Sequence, residues 1–526
     1  MEHSPSTSTP ASRARAPLPA RADTGGSPLA APSPAAPARP GTEPARAPAP
    51  APARPHLLAA AAVALLFLAR FAILPWLGLF NDEAYYWEWS RRLAASYYDH
   101  PPLVAWILAA TTRLVGRTQL AVHLPALLFT AATSLVLLRL SLDLLPGRRD
   151  VAWGAVLLCN AAPLFGLGAV FTTPDAPATL FWILTAWLVW RAVNGAPRLW
   201  YAAGLAAGLG LLSKYTNVLL LPGILLFLLL SPHRAWLRRK EPYLALAIAA
   251  LVFAPVVLWN ARHGWESFVF QLVDRHGGAF RPWRTVPRFL VAQQSLSPLV
   301  WAACLVGLAR SARAARAGSP ADALVFGCAA ASLAVFSAAS LFTYVNPNWF
   351  GPAFLTLMIP ASAALLRSRS RLVRLAPAGL GIALSLLFYV QAVSLALPLP
   401  PRLDFATDLV GWDEVGARLR ALEASGLGER PFVFSRRLQL SALAAFYGGD
   451  DLEVTRLGGR RDQYDEWTSP EALRGRDAIY FCDDLAFRAP DEYPFQRCEP
   501  AGELPIVRHG RTVRRFFFWR CFAYQP

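Results

Sequence analysis

Charge is scarce in this sequence: Asp, Glu, Lys and Arg make up 16% of the 526 residues, against 55% hydrophobic residues. Apolar runs of about 20 residues recur, the length that spans a bilayer core as a helix, so the chain reads as a polytopic membrane protein. Metal-type CxxC spacing is lacking. Of six cysteines, Cys159, Cys304 and Cys328 fall in apolar runs, where cysteine behaves as a small hydrophobe. Cys482, Cys498 and Cys521 fall in the C-terminal region and admit one disulfide, whose pairing the sequence leaves open. Residues 1–55 contain no aromatic residue and consist mostly of Pro, Ala, Ser, Thr and Arg, a composition that buries too little apolar surface to fold. A disordered cytoplasmic tail is expected there. A cleaved secretory signal is also lacking: the apolar run after His56 is too long, and it reads as a signal anchor.

The net charge of +17 raises the question of a polyanion partner, yet the basic residues lie mainly in the tail and in short loops between apolar runs. Topology accounts for them, and no nucleic-acid partner is expected. Hydropathy predicts about eleven crossings, near 57–79, 119–145, 151–170, 176–193, 200–213, 215–231, 242–260, 288–309, 322–343, 350–366 and 375–397. Residues 200–231 read either as one tilted helix or as a hairpin broken at "LLSKYTN". The hairpin keeps Arg148, Arg191, Arg198, "HRAWLRRK", Arg310, Arg313, Arg316 and the 367–374 arginines on one cytoplasmic side, so it is preferred. The opposite, extracytoplasmic face then collects the 80–118 loop, "FTTPDAP" (171–177), Lys214, the loop 261–287, "TYVNPNW" (343–349) and everything after about 398. Polar residues gathered on one face of an apolar bundle argue for a site at that surface.

The stretch "FNDEAYYWEWSRRLAASYYDHPPLVAW" (80–106) is the densest part of this face. Asn81 is a good N-cap, and Asp82 and Glu83 suit the first turn of a helix, so capping competes with chemistry for both. Tyr85, Tyr86, Trp87 and Trp89 fit an interfacial aromatic belt. Asp99 and His100 tilt the reading toward a site, because neither is needed to stop a helix. Asp175 also suits a first turn, after Pro174. Lys214 is a lone lysine between apolar runs, expensive unless it faces a cavity or a partner, or snorkels. His263 and His276 share a loop with Arg262, Arg275, Arg281 and Arg284, a solvated basic loop or a phosphate contact. Jointly, a carboxylate base with cations for an anionic leaving group is the chemistry of transfer from a phosphate ester.

"NDEAYYWEWSRRLAASYYDHPPLVAW", followed by "TTPDAP", "LLSKYTN", "WNARHGWESFVFQL" and "NPNWFGPAF", resembles the bacterial branch of the protein O-mannosyltransferase and aminoarabinose lipid A transferase families, membrane glycosyltransferases of the C superfamily. The likeness runs from about 57 to 400. It implies transfer of a sugar, with inversion, from a polyprenyl phosphate to a hydroxyl of a lipid, glycan or protein acceptor at the extracytoplasmic face. Among the residues, it implies Asp82 as base with Glu83 beside it, Lys214 as phosphate-binding lysine, and Trp349 as an aromatic wall of the donor pocket. Asp99, His100 and Asp175 would bind acceptor or sugar. The residues themselves call for no cofactor, but the resemblance allows a divalent metal ion near Asp99 and His276. Lipid A transferases carry an arginine where this chain has Tyr85, so the rest of the phosphate clamp falls to Arg275 or Arg281. Tyr85 stands at the clamp position itself.

The expected architecture is a mainly α transmembrane bundle (56–400) with a small extracytoplasmic α/β domain (401–526). In that domain, "GWDEVGARLRALEAS" and "LQLSALAAFYG" read as helices, and "PFVFS", "DAIYFCDD" and "RRFFFWRCF" as strands. It has no nucleophile elbow or Gly-rich phosphate loop, so acceptor recognition or lid packing is its expected part. The rival class is a transporter or flippase of lipid-linked sugars. It is disfavoured because the polar residues gather on one face instead of near the midplane, and no internal repeat is visible.

Overall fold

The computed structural model describes residues 55–274, 280–428 and 430–526. The tail expected to be disordered, apart from Pro55, lies outside the described residues, as do Arg275 and His276.

The chain is mainly helical and a multi-pass membrane protein. Seven helices are long and apolar enough to cross a bilayer: Pro55–Trp76, Gln119–Leu144, Asp175–Val193, Lys240–Arg262, Pro320–Ala339, Pro347–Leu366 and Arg371–Ser394. Counting each of two sharply bent pairs as a span gives up to nine among the described residues, against the eleven expected. The difference lies in breaks that hydropathy does not register. The run 151–170 stops at Ala161 and restarts at Pro163, as a proline without an N–H requires. Residues 200–231 divide at Lys214, whose backbone is extended (φ −157°, ψ 133°). The run 288–309 is split at Ser297 (φ 71°), where Pro282–Leu296 turns through 98° into Pro298–Arg316.

The C-terminal part is a five-stranded sheet with helices against it. Strands β1 (Phe432–Ser435), β2 (Val454–Arg456), β3 (Ala478–Asp483), β4 (Phe495–Arg508) and β5 (Arg511–Tyr524) lie in the order β2-β1-β3-β5-β4. The first three are parallel, and β5 and β4 form an antiparallel hairpin on their edge. Cys498 and Cys521 face each other across that hairpin and are joined in a disulfide, which leaves Cys482 buried as a thiol. The predicted helices appear as Trp412–Glu423 and Leu438–Gly448.

This module does not hang from the bundle. Its core residues Trp412, Val415, Leu419 and Leu443 form one apolar cluster with Leu79, Tyr85, Trp87, Trp89 and Val104 of the first loop. Trp87 meets Phe446 edge-on at 4.9 Å, and Leu79 N and Gln119 Nε2 both donate to the Tyr447 hydroxyl. The aromatic belt expected of Tyr85, Tyr86, Trp87 and Trp89 is therefore corrected: all four are buried, at 6% exposure or less, beneath the C-terminal module. Large amphipathic rings suit a water–lipid boundary and a protein core equally well, and the sequence does not say what lies over them.

Candidate functional site

The first-loop helix Asn81–Ser90 begins where the first span ends. Its N-cap is Phe80, not Asn81 as expected, and the cap is closed by Glu83, whose Oε2 accepts from Phe80 N at 3.0 Å. The other oxygen of Glu83 accepts from Thr172 N at 2.5 Å and lies 3.0 Å from His123 Nδ1. Glu83 is wholly buried and lines neither cavity described below. Expected as a second catalytic carboxylate, Glu83 has its oxygens tied to the first loop, the 171–177 turn and the helix Gln119–Leu144.

Asp82, one residue earlier, projects differently. It lines a cavity of about 580 Å³ whose wall also carries His100, Asp175, Lys214, Asn348 and Trp349, and which is otherwise mostly apolar, with Leu164, Phe165, Leu167, Phe171 and Phe388. Within this wall Lys214 Nζ donates to Asp175 Oδ1 at 2.6 Å, and Asn348 Nδ2 donates to Asp175 Oδ2 at 2.8 Å. Asp175 opens its helix after Pro174, so the first turn fixes the carboxylate, while the extended break at Lys214 turns the lysine inward. A cation so deep is tolerated because a carboxylate partner accompanies it.

A second cavity, of about 730 Å³, is lined by Asp82, Tyr85, Tyr86, Tyr98, Asp99, His100, Phe270, Leu438, Gln439, Arg460 and Arg461. Asp82, Tyr86 and His100 thus belong to both walls. Tyr85, expected on the donor phosphate, is instead buried: its hydroxyl donates to Asp99 Oδ2 at 2.7 Å and accepts from Gln463 N at 2.9 Å. Burial and the neighbouring Asp99 hold the Tyr85 phenol well above its ordinary range. Arg281 is exposed and caps the helix Pro282–Gln293, away from both walls.

The divalent metal allowed by the resemblance meets an obstacle at Asp99. Its Oδ1 accepts from Arg460 Nη2 at 3.0 Å and its Oδ2 from Tyr85, so a metal there would stand beside a guanidinium. Among the described residues no group of three or more His, Cys, Asp or Glu comes together, and His276 lies outside them.

Sequence reasoning missed Asn348, Arg460, Gln463 and His123. Asn348 sits inside a quoted motif but carries no charge to flag it. Arg460 and Gln463 belong to "GGRRDQYDEW", where two arginines beside an aspartate were the available signal.

Residues 99–259 match the family described as dolichyl-phosphate-mannose-protein mannosyltransferase. The lipid A galacturonosyltransferase RgtD of Rhizobium johnstonii is 33% identical over 187 residues, 35% of this chain and 39% of that protein. The undecaprenyl phosphate-alpha-4-amino-4-deoxy-L-arabinose arabinosyl transferase of Erwinia tasmaniensis is 27% identical over 203 residues, 34% of this chain and 36% of that one. The crystal structure of ArnT from Cupriavidus metallidurans superposes with a TM-score of 0.62 at 17% identity, over 88% of this chain and 97% of that one. Over these segments the chain is similar to mannosyltransferase and aminoarabinose transferase sequences. Its matched segment spans less than two fifths of the length of each curated relative, whereas the ArnT-like fold extends over the bundle and the C-terminal module together.

Proposed function

We propose that this chain is an inverting membrane glycosyltransferase that moves a sugar from a polyprenyl phosphate to an acceptor hydroxyl at the extracytoplasmic face, with Asp82 as general base. One observation carries the reading: Asp82 belongs to the walls of two cavities, one largely apolar with a buried lysine, the other of mixed lining with Asp99, Arg460 and Arg461. A lipid-linked donor suits the first and a hydroxyl acceptor the second, and they meet at a carboxylate. The relatives lend support, one being named for lipid A galacturonosyl transfer and one for an undecaprenyl phosphate sugar donor. A structure of the same fold contains undecaprenyl phosphate.

In this reaction the acceptor hydroxyl gives its proton to Asp82 as its oxygen attacks the anomeric carbon. The bond from that carbon to the phosphate oxygen breaks on the opposite face, and its electron pair leaves with the polyprenyl phosphate. Lys214, oriented by Asp175, answers the negative charge that grows on the leaving phosphate. Trp349 walls the donor side, and the apolar lining takes the first isoprene units. The Cys498–Cys521 disulfide suits an oxidising, extracytoplasmic compartment, as does the basic bias of the opposite loops. The acceptor is a lipid, glycan or protein.

The test incubates the purified protein in nanodiscs with a panel of radiolabelled polyprenyl-phosphate sugars and a membrane extract. Label passing into a new product supports transfer, and the product's extraction behaviour separates lipid from protein acceptors. Label that stays on the donor while the donor crosses the bilayer of proteoliposomes contradicts it in favour of a flippase.

A further inference from the structure

Three segments far apart in sequence close on Asp99. The Tyr85 hydroxyl donates to Oδ2 at 2.7 Å, Arg460 Nη2 donates to Oδ1 at 3.0 Å, and the Gln271 side-chain amide donates to the Asp99 carbonyl. The Arg460 guanidinium also lies 4.3 Å from the centre of the Phe270 ring, which packs on Tyr98 at 5.1 Å. Three residues further on, Gln463 grips the same loop: its Oε1 accepts from Tyr98 N at 2.7 Å, and its own N donates to the Tyr85 hydroxyl at 2.9 Å. Asp99, Tyr85 and Gln463 are all buried. Tyr85 stands three residues after Asp82 on one helix, and residues so spaced share a face. Whatever fixes Tyr85 therefore fixes the face that carries Asp82.

We propose that the Arg460 guanidinium is the resident cation of the Asp99 position, in place of a divalent metal, and that Arg460 and Gln463 are positioning residues through which the C-terminal module sets the first loop against Asp82. The consequence for the reaction rests on the reading of Asp82 as base given above; the grip itself does not. Arginine suits the task because it stays charged at any working pH and its planar donors match a carboxylate. A chelator cannot remove it. The C-terminal module then becomes part of the transfer apparatus by holding the first loop in place.

The test uses the full chain in nanodiscs, as wild type, Arg460→Ala, Arg460→Lys and Gln463→Ala, with Arg436→Ala, an exposed partner of Glu492, as control. Hydrogen exchange reads the grip directly, since the Tyr98 amide is held by Gln463. Gln463→Ala and Arg460→Ala are expected to speed exchange over residues 97–100 about tenfold or more, with the helix Trp412–Glu423 unchanged. Unaltered exchange in both variants overturns the grip, whatever the activity. In label transfer, Arg460→Ala is expected to lose about tenfold to a hundredfold in kcat while undecaprenyl phosphate binds within about twofold of wild type, and Arg460→Lys to recover part of the loss. Wild-type turnover is expected to survive EDTA. Turnover lost in EDTA and restored by Mg²⁺, Mn²⁺ or Zn²⁺ overturns the assignment of the cation. A wild type that protects residues 97–100 through Gln463 but moves no label from any donor refutes the transferase reading and leaves the grip standing.

Discussion

Lys214 Nζ stands 2.6 Å from Asp175 Oδ1 in the cavity wall, with the lysine side chain 5% exposed and the aspartate 20%. Removing one partner of so buried a pair costs about 3–5 kcal/mol, whereas replacing both by apolar groups is often near neutral. Lys214→Met and Asp175→Leu are each expected to lower the melting temperature, and the double variant to recover most of that loss. Undecaprenyl phosphate affinity is expected to fall at least about tenfold in both Lys214 variants. A double variant that regains affinity along with stability would make the lysine structural only.

Neighbouring carboxylates are expected to fail differently. Glu83 receives hydrogen bonds from Phe80 N and Thr172 N and contacts His123, so Glu83→Gln should cost about 1–3 kcal/mol of stability, read as a lower melting temperature. Asp82→Asn keeps the side-chain shape in the cavity wall and should cost less stability than Glu83→Gln while removing the proton acceptor. Equal destabilisation by the two changes would refute the division into brace and base.

Asp462 supplies a pH dependence. Burial pushes its carboxyl up to about 6 from 3.8, against the opposing pull of Arg456. A carboxyl whose folded pKa is raised holds its proton more tightly when folded, so stability falls as pH rises through the window from about 4 to about 6. Between wild type and Asp462→Asn, the stability difference should shift by about 3 kcal/mol or less across that window, in favour of the variant at the higher pH. Melting curves of both proteins from pH 4 to 7 check it; parallel curves contradict it.

Gly78 marks the seam between the first span and the C-terminal module. A Cβ there would lie 1.8 Å from the Leu409 carbonyl oxygen, and backbone cannot yield as a flexible side chain does. Gly78→Ala should cost about 1–3 kcal/mol and speed cleavage by a protease between the bundle and the module. Unchanged protease resistance would show that the seam tolerates the shift.

Long apolar helices were legible because about 20 apolar residues in a row have few other homes, and the strands "PFVFS", "DAIYFCDD" and "RRFFFWRCF" because aromatic and β-branched residues crowd there. Strand β4 was not, since Pro500, Gly502 and Pro505 interrupt it, and it pairs at the sheet edge with a register shift between Pro500 and Gly502. At the site, the motif order brought Asp82, His100, Asp175, Lys214 and Trp349 to one wall. What stayed hidden was pairing over long separations. Tyr85 and Gln463 are 378 residues apart and Asp99 and Arg460 361, and no local periodicity connects them. Glu83 and Asp82 look alike in sequence, and only the fold places one in a cap and the other in a cavity wall.

The most direct measurement of the central claim is single-turnover transfer from a labelled polyprenyl-phosphate sugar by wild type and Asp82→Asn, with undecaprenyl phosphate binding measured on the same samples. Asp82 as base predicts transfer reduced by about 10²-fold or more in the variant with binding preserved. Transfer at wild-type rate by Asp82→Asn would contradict the account and return Asp82 to the first turn of its helix.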